Sequence, residues 1–410
     1  MHGFSPVPLG LVLLAASLVA IVSRRLRLPY SVGLVLAGIL LALAPVDAGI
    51  PLTRDLVFNI LLPPLVFEGA MQMAWRDLRR DLLLIILFAS LGLVLAALLV
   101  TAGLHGFFGW SWLGAGLFGV LIAATDPVAV LAAFKELKVE RRLSVLVEAE
   151  SLLNDGTAAV GFSLLLALAG GDAVTPLGVA GTLAWTILGG VLAGLVVAGG
   201  MLLLARPSKD HMVEITLTTI AAYGSFLLAE HFHASGVLAS LTAGLVVGNL
   251  GLVHTISPAG RGHVVAFWEY AAFLANSLVF ILIGQQEAHH ARDIATGLAG
   301  AAILLVLAGR VVAIYPLTAL AARIPPRIGL ARVGVARIGV ARIEGRHAHV
   351  LFWGGLRGAL GLALALALPD SVPERGKIIV LAFAVVAFSV FVQGLSMPWL
   401  LRRLGFLRQG

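Results

Sequence analysis

The chain has 410 residues, of which 60% are hydrophobic and only 12% charged, with a formal net charge of +7 and no cysteine. A mean hydropathy of +1.03 is more apolar surface than a water-soluble core can bury, which excludes a soluble globular domain and makes lipid the main solvent. The lack of cysteine excludes disulfides, zinc–cysteine sites and thiol chemistry, and the positive charge reads as basic membrane-protein loops rather than a nucleic-acid surface.

The first apolar run, 7–22, has no basic residue before it and is followed by Arg24, Arg25 and Arg27. That order reverses a cleavable signal peptide and predicts a first span with its N-terminus outside. In all, thirteen apolar segments are expected, at roughly 6–22, 31–45, 55–75, 81–104, 112–134, 144–169, 177–204, 211–231, 234–248, 263–285, 294–321, 347–368 and 376–401. The ninth is short enough to read as re-entrant or broken. With this division 22 Lys/Arg fall in one set of alternating loops, and only Arg54, Arg292, Arg375 and Lys377 lie on the opposite side. The positive-inside rule then makes the chain a multi-pass protein of the inner or plasma membrane, N-terminus outside and C-terminus cytoplasmic.

An ionisable side chain at mid-bilayer costs roughly 2.5–3.5 kcal/mol, so each one inside a span needs a reason. In the third span, LLPPLVFEGA sets a double proline just before Glu68, with apolar residues on both sides. Glu68 reads either as a solvated residue at a capped or kinked helix end or, favoured by its depth, as part of a cation path. The fifth span reads LIAATDPVAVLAAF. Proline removes a backbone donor and pushes its predecessor out of the helical region, so the helix is expected to break near Asp126. Backbone carbonyls freed in oil are tolerated where they line a cavity, and there they can coordinate cations together with Thr125 and Asp126.

The sixth span, VLVEAESLLNDGTAAVG, holds Glu148, Glu150 and Asp155 with no cation between them. Ser151 and Asp155 are four apart and share a face, and Glu148 lies close to it, whereas Glu150 points about 140° away from Asp155. Asp155 thus has a hydroxyl neighbour and no cation, which suits a carboxylate awaiting a cation or proton. Glu150 needs a partner on another helix: Arg357, in the glycine-rich GGLRGALG of the twelfth span, is the first candidate and Arg310 the second. The pairs His231/His233, His289/His290 and His347/His349 sit at expected loop edges and read as surface or interfacial residues, with a pH-sensing part open for one of them. The five-residue repeat in GLARVGVARIGVARIEG, 329–345, spirals its arginines around a helix and reads as a basic loop.

The fifth and twelfth spans are seven apart and therefore run antiparallel. Spans 1–6 and 8–13 can then form two inverted units joined by the seventh, with an interrupted helix at matching positions, which points to the midplane site of a secondary transporter.

ATDPVAV, ESLLNDGTA and GGLRGAL, in that order, resemble the monovalent cation:proton antiporter-1 family of sodium/proton exchangers, and LLPPLVFEGA with FWEYAAFLANSLVFILIG resembles its bacterial, NhaP-type branch. The resemblance runs from about residue 28 to residue 401. It implies an all-α polytopic fold of about thirteen helices, inverted repeats with two crossing interrupted helices, and a homodimer. The dimerisation or scaffold domain would comprise 1–75 and 211–285, the ion-transport core 81–169 and 294–401, with 177–204 a linking helix and 323–346 a basic cytoplasmic loop. By the same matching Asp155, after Asn154, is the ion- and proton-binding carboxylate. Thr125 and Asp126 lie at the helix crossing, Ser151 and Glu68 join Asp155 and Thr125 around Na⁺, and Glu150 with Arg357 forms a structural ion pair. The glutamate of FEGA is not universal in the family, and the pentad repeat is no part of its pattern.

The function so implied is secondary antiport, not enzymatic catalysis, without cofactor or nucleic-acid partner. Na⁺, or Li⁺, exchanges for H⁺ as the two compete for Asp155. Asn154, rather than a second aspartate, marks electroneutral one-for-one exchange. The alternative is a K⁺/H⁺ or mixed monovalent cation antiporter of the same fold. An intramembrane aspartyl protease using Asp126 and Asp155 would need a GxGD-type sequence, which is missing, and a channel would carry net current.

Overall fold

The computed structural model describes residues 6–26, 29–43, 53, 55–170, 175–206, 208, 210–290, 296–323 and 344–406. Nearly all of the expected basic loop 323–346, with the repeat inside it, lies outside these residues. All regular structure among them is helical, as it must be where no water can satisfy an open backbone. In chain order the helices are α1 (Pro6–Leu26), α2 (Tyr30–Leu43), α3 (Leu62–Gln72), α4 (Trp75–Leu87), α5 (Leu93–Phe108), α6 (Trp112–Ala123), α7 (Val128–Glu136), α8 (Arg141–Ala169) and α9 (Pro176–Ala205). Then come α10 (His211–Thr219), α11 (Ser225–His231), α12 (Gly236–Val246), α13 (Pro258–His290), α14 (Thr296–Arg323), α15 (Gly345–Trp353), α16 (Ala359–Leu366), α17 (Arg375–Phe388) and α18 (Leu395–Arg403). Short π-helical stretches join α4 to α5, α10 to α11 and α17 to α18, and extend α12 to Thr255.

Among the described residues nine segments are long and apolar enough to cross a membrane, from Trp75–Phe108 to Arg375–Arg403, and three shorter apolar helices precede them. The ninth predicted segment corrects the sequence reading. It is one continuous helical rod, Gly236–Thr255, neither re-entrant nor broken. The expected segment stops at 248 and so reads as short, whereas the rod runs on through Asn249, whose amide donates to the Leu245 carbonyl at 2.9 Å within the same rod and to the Met73 carbonyl at 3.0 Å across the packing. Pro63 and Pro64 sit at the start of α3, where a π-helical turn over Leu56–Leu61 feeds into it, so the missing N–H groups fall where the bonding pattern changes anyway.

The rods pack into two groups. In one, α5 packs on α6 and α14, α8 on α4 and α6, and α16 on α6 and α17; in the other, α2 packs on α13 and α12 on α3 and α9. Close approach in the second group depends on glycine. A Cβ on Gly38 of α2 would overlap the Ile281 carbonyl of α13, and one on Gly284 would overlap the Val35 carbonyl in return. Buried Glu214 has a structural reason: its carboxylate accepts from the Ser257 backbone amide at 2.7 Å and from the Ser257 hydroxyl at 3.1 Å, fixing the start of α13.

Candidate functional site

Two interrupted rods cross at the centre of the first group. Helix α6 ends at Ala123 and α7 begins at Val128; α15 ends at Trp353 and α16 begins at Ala359. Pro127 causes the first break. The Ala123 carbonyl would accept from the amide four residues on, and that residue is proline.

Backbone groups released there find partners elsewhere, as buried polar groups require. The Ala123 carbonyl accepts from Arg357 Nη1 at 2.7 Å, and the Ala124 carbonyl from the same nitrogen at 3.1 Å. The Thr125 amide donates to Asn154 Oδ1 at 3.2 Å, and the Thr125 carbonyl accepts from the Ser151 hydroxyl. The Asp126 amide donates across the crossing to the Leu356 carbonyl at 2.8 Å. The Val128 amide donates to Asp126 Oδ1 at 2.9 Å, so Asp126 caps α7 from within the break. Asn154 also donates from Nδ2 to Thr125 Oγ1 at 2.7 Å.

The second break is held from α17 and the stretch beyond it. The Ser389 hydroxyl accepts from the Arg357 amide at 3.0 Å and lies 3.1 Å from the Arg357 carbonyl, and Gln393 Nε2 donates to the Trp353 carbonyl at 3.1 Å. Gly358 is required at the contact, because a Cβ there would run into the Asp126 side chain. Sequence reasoning missed Ser389 and Gln393, although two polar residues four apart in an apolar span are a legible signal for support of a neighbouring irregular segment.

The expected ion pair is corrected. Glu150, 2% exposed, is held by Arg310: Nη1 to Oε1 at 2.5 Å and Nη2 to Oε2 at 3.1 Å. Arg357 is the cap of the broken α6 instead, its Nη1 spent on the two orphaned carbonyls. The helical-wheel argument that Glu150 faces away from Asp155 holds, but the cation it meets comes from α14. His347 also departs from the surface reading: it is 3% exposed and hydrogen-bonded through Nε2 to Glu140, with its ring edge-on to Phe406 at 5.3 Å.

A cavity of about 570 Å³ opens against the crossing. Glu68, Thr125, Asp126, Glu148 and Asp155 line it, with Lys135, Glu269 and Asn276. Thus α3, the break before α7, α8 and α13 each contribute polar side chains. Glu148, whose place the sequence left open, faces the same space as Glu68, close enough for their charges to interact. Asp155 and Asp126 are likewise within electrostatic reach of each other. Ser151 and Asn154 are not in the lining; at 1% and 2% exposure they sit behind Thr125 and hold it. Glu68 accepts from Gln72. Among the described residues the Asp155 carboxylate has no hydrogen-bond or ion-pair partner, and no group of three or more His, Asp or Glu has the arrangement of a metal centre.

The geometry offers a carboxylate with free acceptor capacity, a second carboxylate nearby and an unwound backbone, all facing a polar cavity. That set can take up a proton or a small cation and has no nucleophile–base arrangement. Residues 12–403 match the family described as "Sodium/hydrogen exchanger, transmembrane". The chain is 36% identical over 382 residues to the low-affinity Na(+)/H(+) antiporter NhaS1 of Synechocystis, covering 93% of this chain and 70% of that protein. It is 37% identical over 404 residues to the Na(+)/H(+) antiporter ApNhaP of Aphanothece halophytica, covering 96% and 73%. The fold superposes on that of the sodium proton antiporter MjNhaP1 of Methanocaldococcus jannaschii with a TM-score of 0.74 at 21% identity, over 97% of this chain and 98% of that one.

Proposed function

The chain belongs to the sodium/hydrogen exchanger family, and from that premise we propose that it exchanges Na⁺ for H⁺, one for one, across the cell membrane, with both ions competing for Asp155. The observation that carries this reading is the unpartnered Asp155 carboxylate facing the cavity at the crossing of the two interrupted helices. Oxygen atoms of Thr125 and Glu68 complete the Na⁺ shell with Asp155, while Ser151 and Asn154 hold Thr125 in place and Asp126 anchors the break.

A proton or a Na⁺ on Asp155 neutralises it, whereas the bare carboxylate faces the desolvation cost of a charge in oil. Only the loaded site then crosses, which couples the two fluxes. With Asn154 rather than a carboxylate beside Asp155, each half-cycle moves one positive charge and the exchange is electroneutral. The packed group α4–α8 with α14–α18, the transport core, moves against a scaffold of α1–α3 and α10–α13 that also forms a homodimer interface, with α9 as link. The thirteen-span topology, N-terminus outside and C-terminus cytoplasmic, follows from the arginine distribution.

In everted vesicles, Na⁺ added to wild-type protein dissipates an imposed pH gradient, and Asp155→Asn abolishes the response. A Na⁺-dependent response retained by that variant overturns the assignment. A panel of Na⁺, Li⁺ and K⁺ in proteoliposomes separates Na⁺/H⁺ exchange from K⁺/H⁺ exchange in the same fold.

A further inference from the structure

A second groove, of about 510 Å³, runs along the seam where α4 and α8 of one packed group face α9 and α12 of the other. Leu78, Leu82, Leu153, Leu195, Leu241 and Leu245 line it. Its polar lining groups are turned inward. Asn249 Oδ1 accepts from the Trp75 amide at 2.7 Å, its amide group donates to the Met73 and Leu245 carbonyls, and the Thr242 hydroxyl donates to the Leu238 carbonyl at 2.7 Å. An occupant therefore meets hydrocarbon alone, with no group left to hold water or a polar solute. The groove is open at its rim, where Trp75, Leu195 and Leu250 are about half exposed.

One arginine unpaired among the described residues, Arg79, stands next to its α4 end. Helix α4 begins WRDLRRD. At about 100° per residue, Trp75, Leu78 and Leu82 fall on one arc facing the groove and Arg79 lies about 40° beyond Trp75, whereas Arg76, Asp77, Arg80 and Asp81 all lie about 100° or more from Trp75. Those aspartates are already neutralised: Asp77 pairs with Arg141 at 2.8 Å and Asp81 with Arg142 at 2.9 Å. Arg76, Arg79 and Arg80 have no ion-pair or hydrogen-bond partner among the described residues. A tryptophan with a free arginine beside it at the end of an apolar groove, on a helix turn that carries two further arginines, matches the headgroup level of a membrane, where basic side chains attract anionic lipid.

We propose that this groove binds one anionic phospholipid, with an acyl chain along the leucines and the phosphate against Arg79. The lipid fills the seam between the two packed groups, so its occupancy stabilises their present arrangement by packing where protein atoms leave a void. The site is separate from the Asp155 cavity and does not depend on which ion is exchanged.

The test uses the full chain, delipidated in detergent and offered phosphatidylglycerol or phosphatidylcholine, with retained lipid counted by native mass spectrometry and thermal unfolding followed in parallel. One phosphatidylglycerol per chain is expected to be retained in preference to phosphatidylcholine and to raise the melting temperature. Arg79→Gln weakens retention about fivefold, whereas Arg76→Gln, on another side of α4, weakens it less. Leu195→Trp, on the exposed rim, fills the groove and displaces the lipid with every arginine intact. Lipid-free melting temperatures of the variants close to wild type show that folding is preserved. Equal retention of the two lipids overturns the proposal, as does unchanged phosphatidylglycerol retention in Arg79→Gln. Loss of self-association, rather than of lipid, in Leu195→Trp assigns the groove to a second copy and also overturns it.

Discussion

Arg310 grips both carboxylate oxygens of Glu150, and its Nη2 also donates to the Leu351 carbonyl at 3.0 Å. One guanidinium thus ties α8, which carries Asp155, to α14 and to the first half of the interrupted rod. Both partners are nearly inaccessible, at 6% and 2% exposure. Such a pair is weak evidence of net stabilisation, because desolvation offsets much of the attraction, but breaking it strands a charge.

Glu150→Ala and Arg310→Ala are each expected to destabilise the protein by about 3–5 kcal/mol. In a double-mutant cycle on thermal unfolding, Glu150 should couple strongly to Arg310 and weakly to Arg357. The opposite ranking would restore the pairing expected from sequence.

Arg357→Met leaves the Ala123 and Ala124 carbonyls without their donor, at about 1–3 kcal/mol for each buried group left unsatisfied. The expected outcome is loss of transport in a chain that still inserts. Arg357→Lys should recover part of the activity, since one ammonium can reach one carbonyl but does not reproduce the guanidinium's planar fork.

Asn154→Ala removes the two hydrogen bonds that Asn154 makes to Thr125, each contributing about 1 kcal/mol, and leaves the one from Ser151. Transport should fall roughly tenfold or more, while Asp155 is untouched and some Na⁺-dependent proton movement persists. Transport at wild-type rate would show that Ser151 alone fixes the break.

Competition sets the direction of pH dependence. Protonating Asp155 removes the charge that binds Na⁺, so the apparent KM for Na⁺ should rise as pH falls, approaching about tenfold per pH unit in the acid limit for one competing proton. A KM independent of pH, with only the maximal rate changing, would mean that the proton and the cation use different groups.

Gly284→Ala tests the packing of the second group. The added methyl would meet the backbone of α2, which cannot swing aside as a side chain can, so a loss of about 1–3 kcal/mol is expected in thermal unfolding.

Much of this protein follows from sequence alone because the causes are local. The length of an apolar run shows that a helix can cross a membrane. Pro127 has no N–H to give Ala123, so ATDPVAV must break wherever it is placed. A 100° step per residue turns Glu150 away from Asp155 before any neighbour is known. The three motifs ATDPVAV, ESLLNDGTA and GGLRGAL carried the family in the same way.

Tertiary structure decided which group answers which. A helical wheel gives the direction of a side chain but not the element lying there, so Glu150 could be aimed but not paired. Arg310 and Arg357 are equally apolar in setting along the chain. Only the crossing, which sets GGLRGALG against the open end of α6, spends Arg357 on carbonyls and leaves Arg310 for the carboxylate. The same holds for Ser151 and Asn154, which share a helix with Asp155 but turn to Thr125, and for Glu148, brought beside Glu68 by the packing of α3 on α8. Contacts between residues distant in sequence depend on where whole helices lie, and no local rule of spacing contains that information.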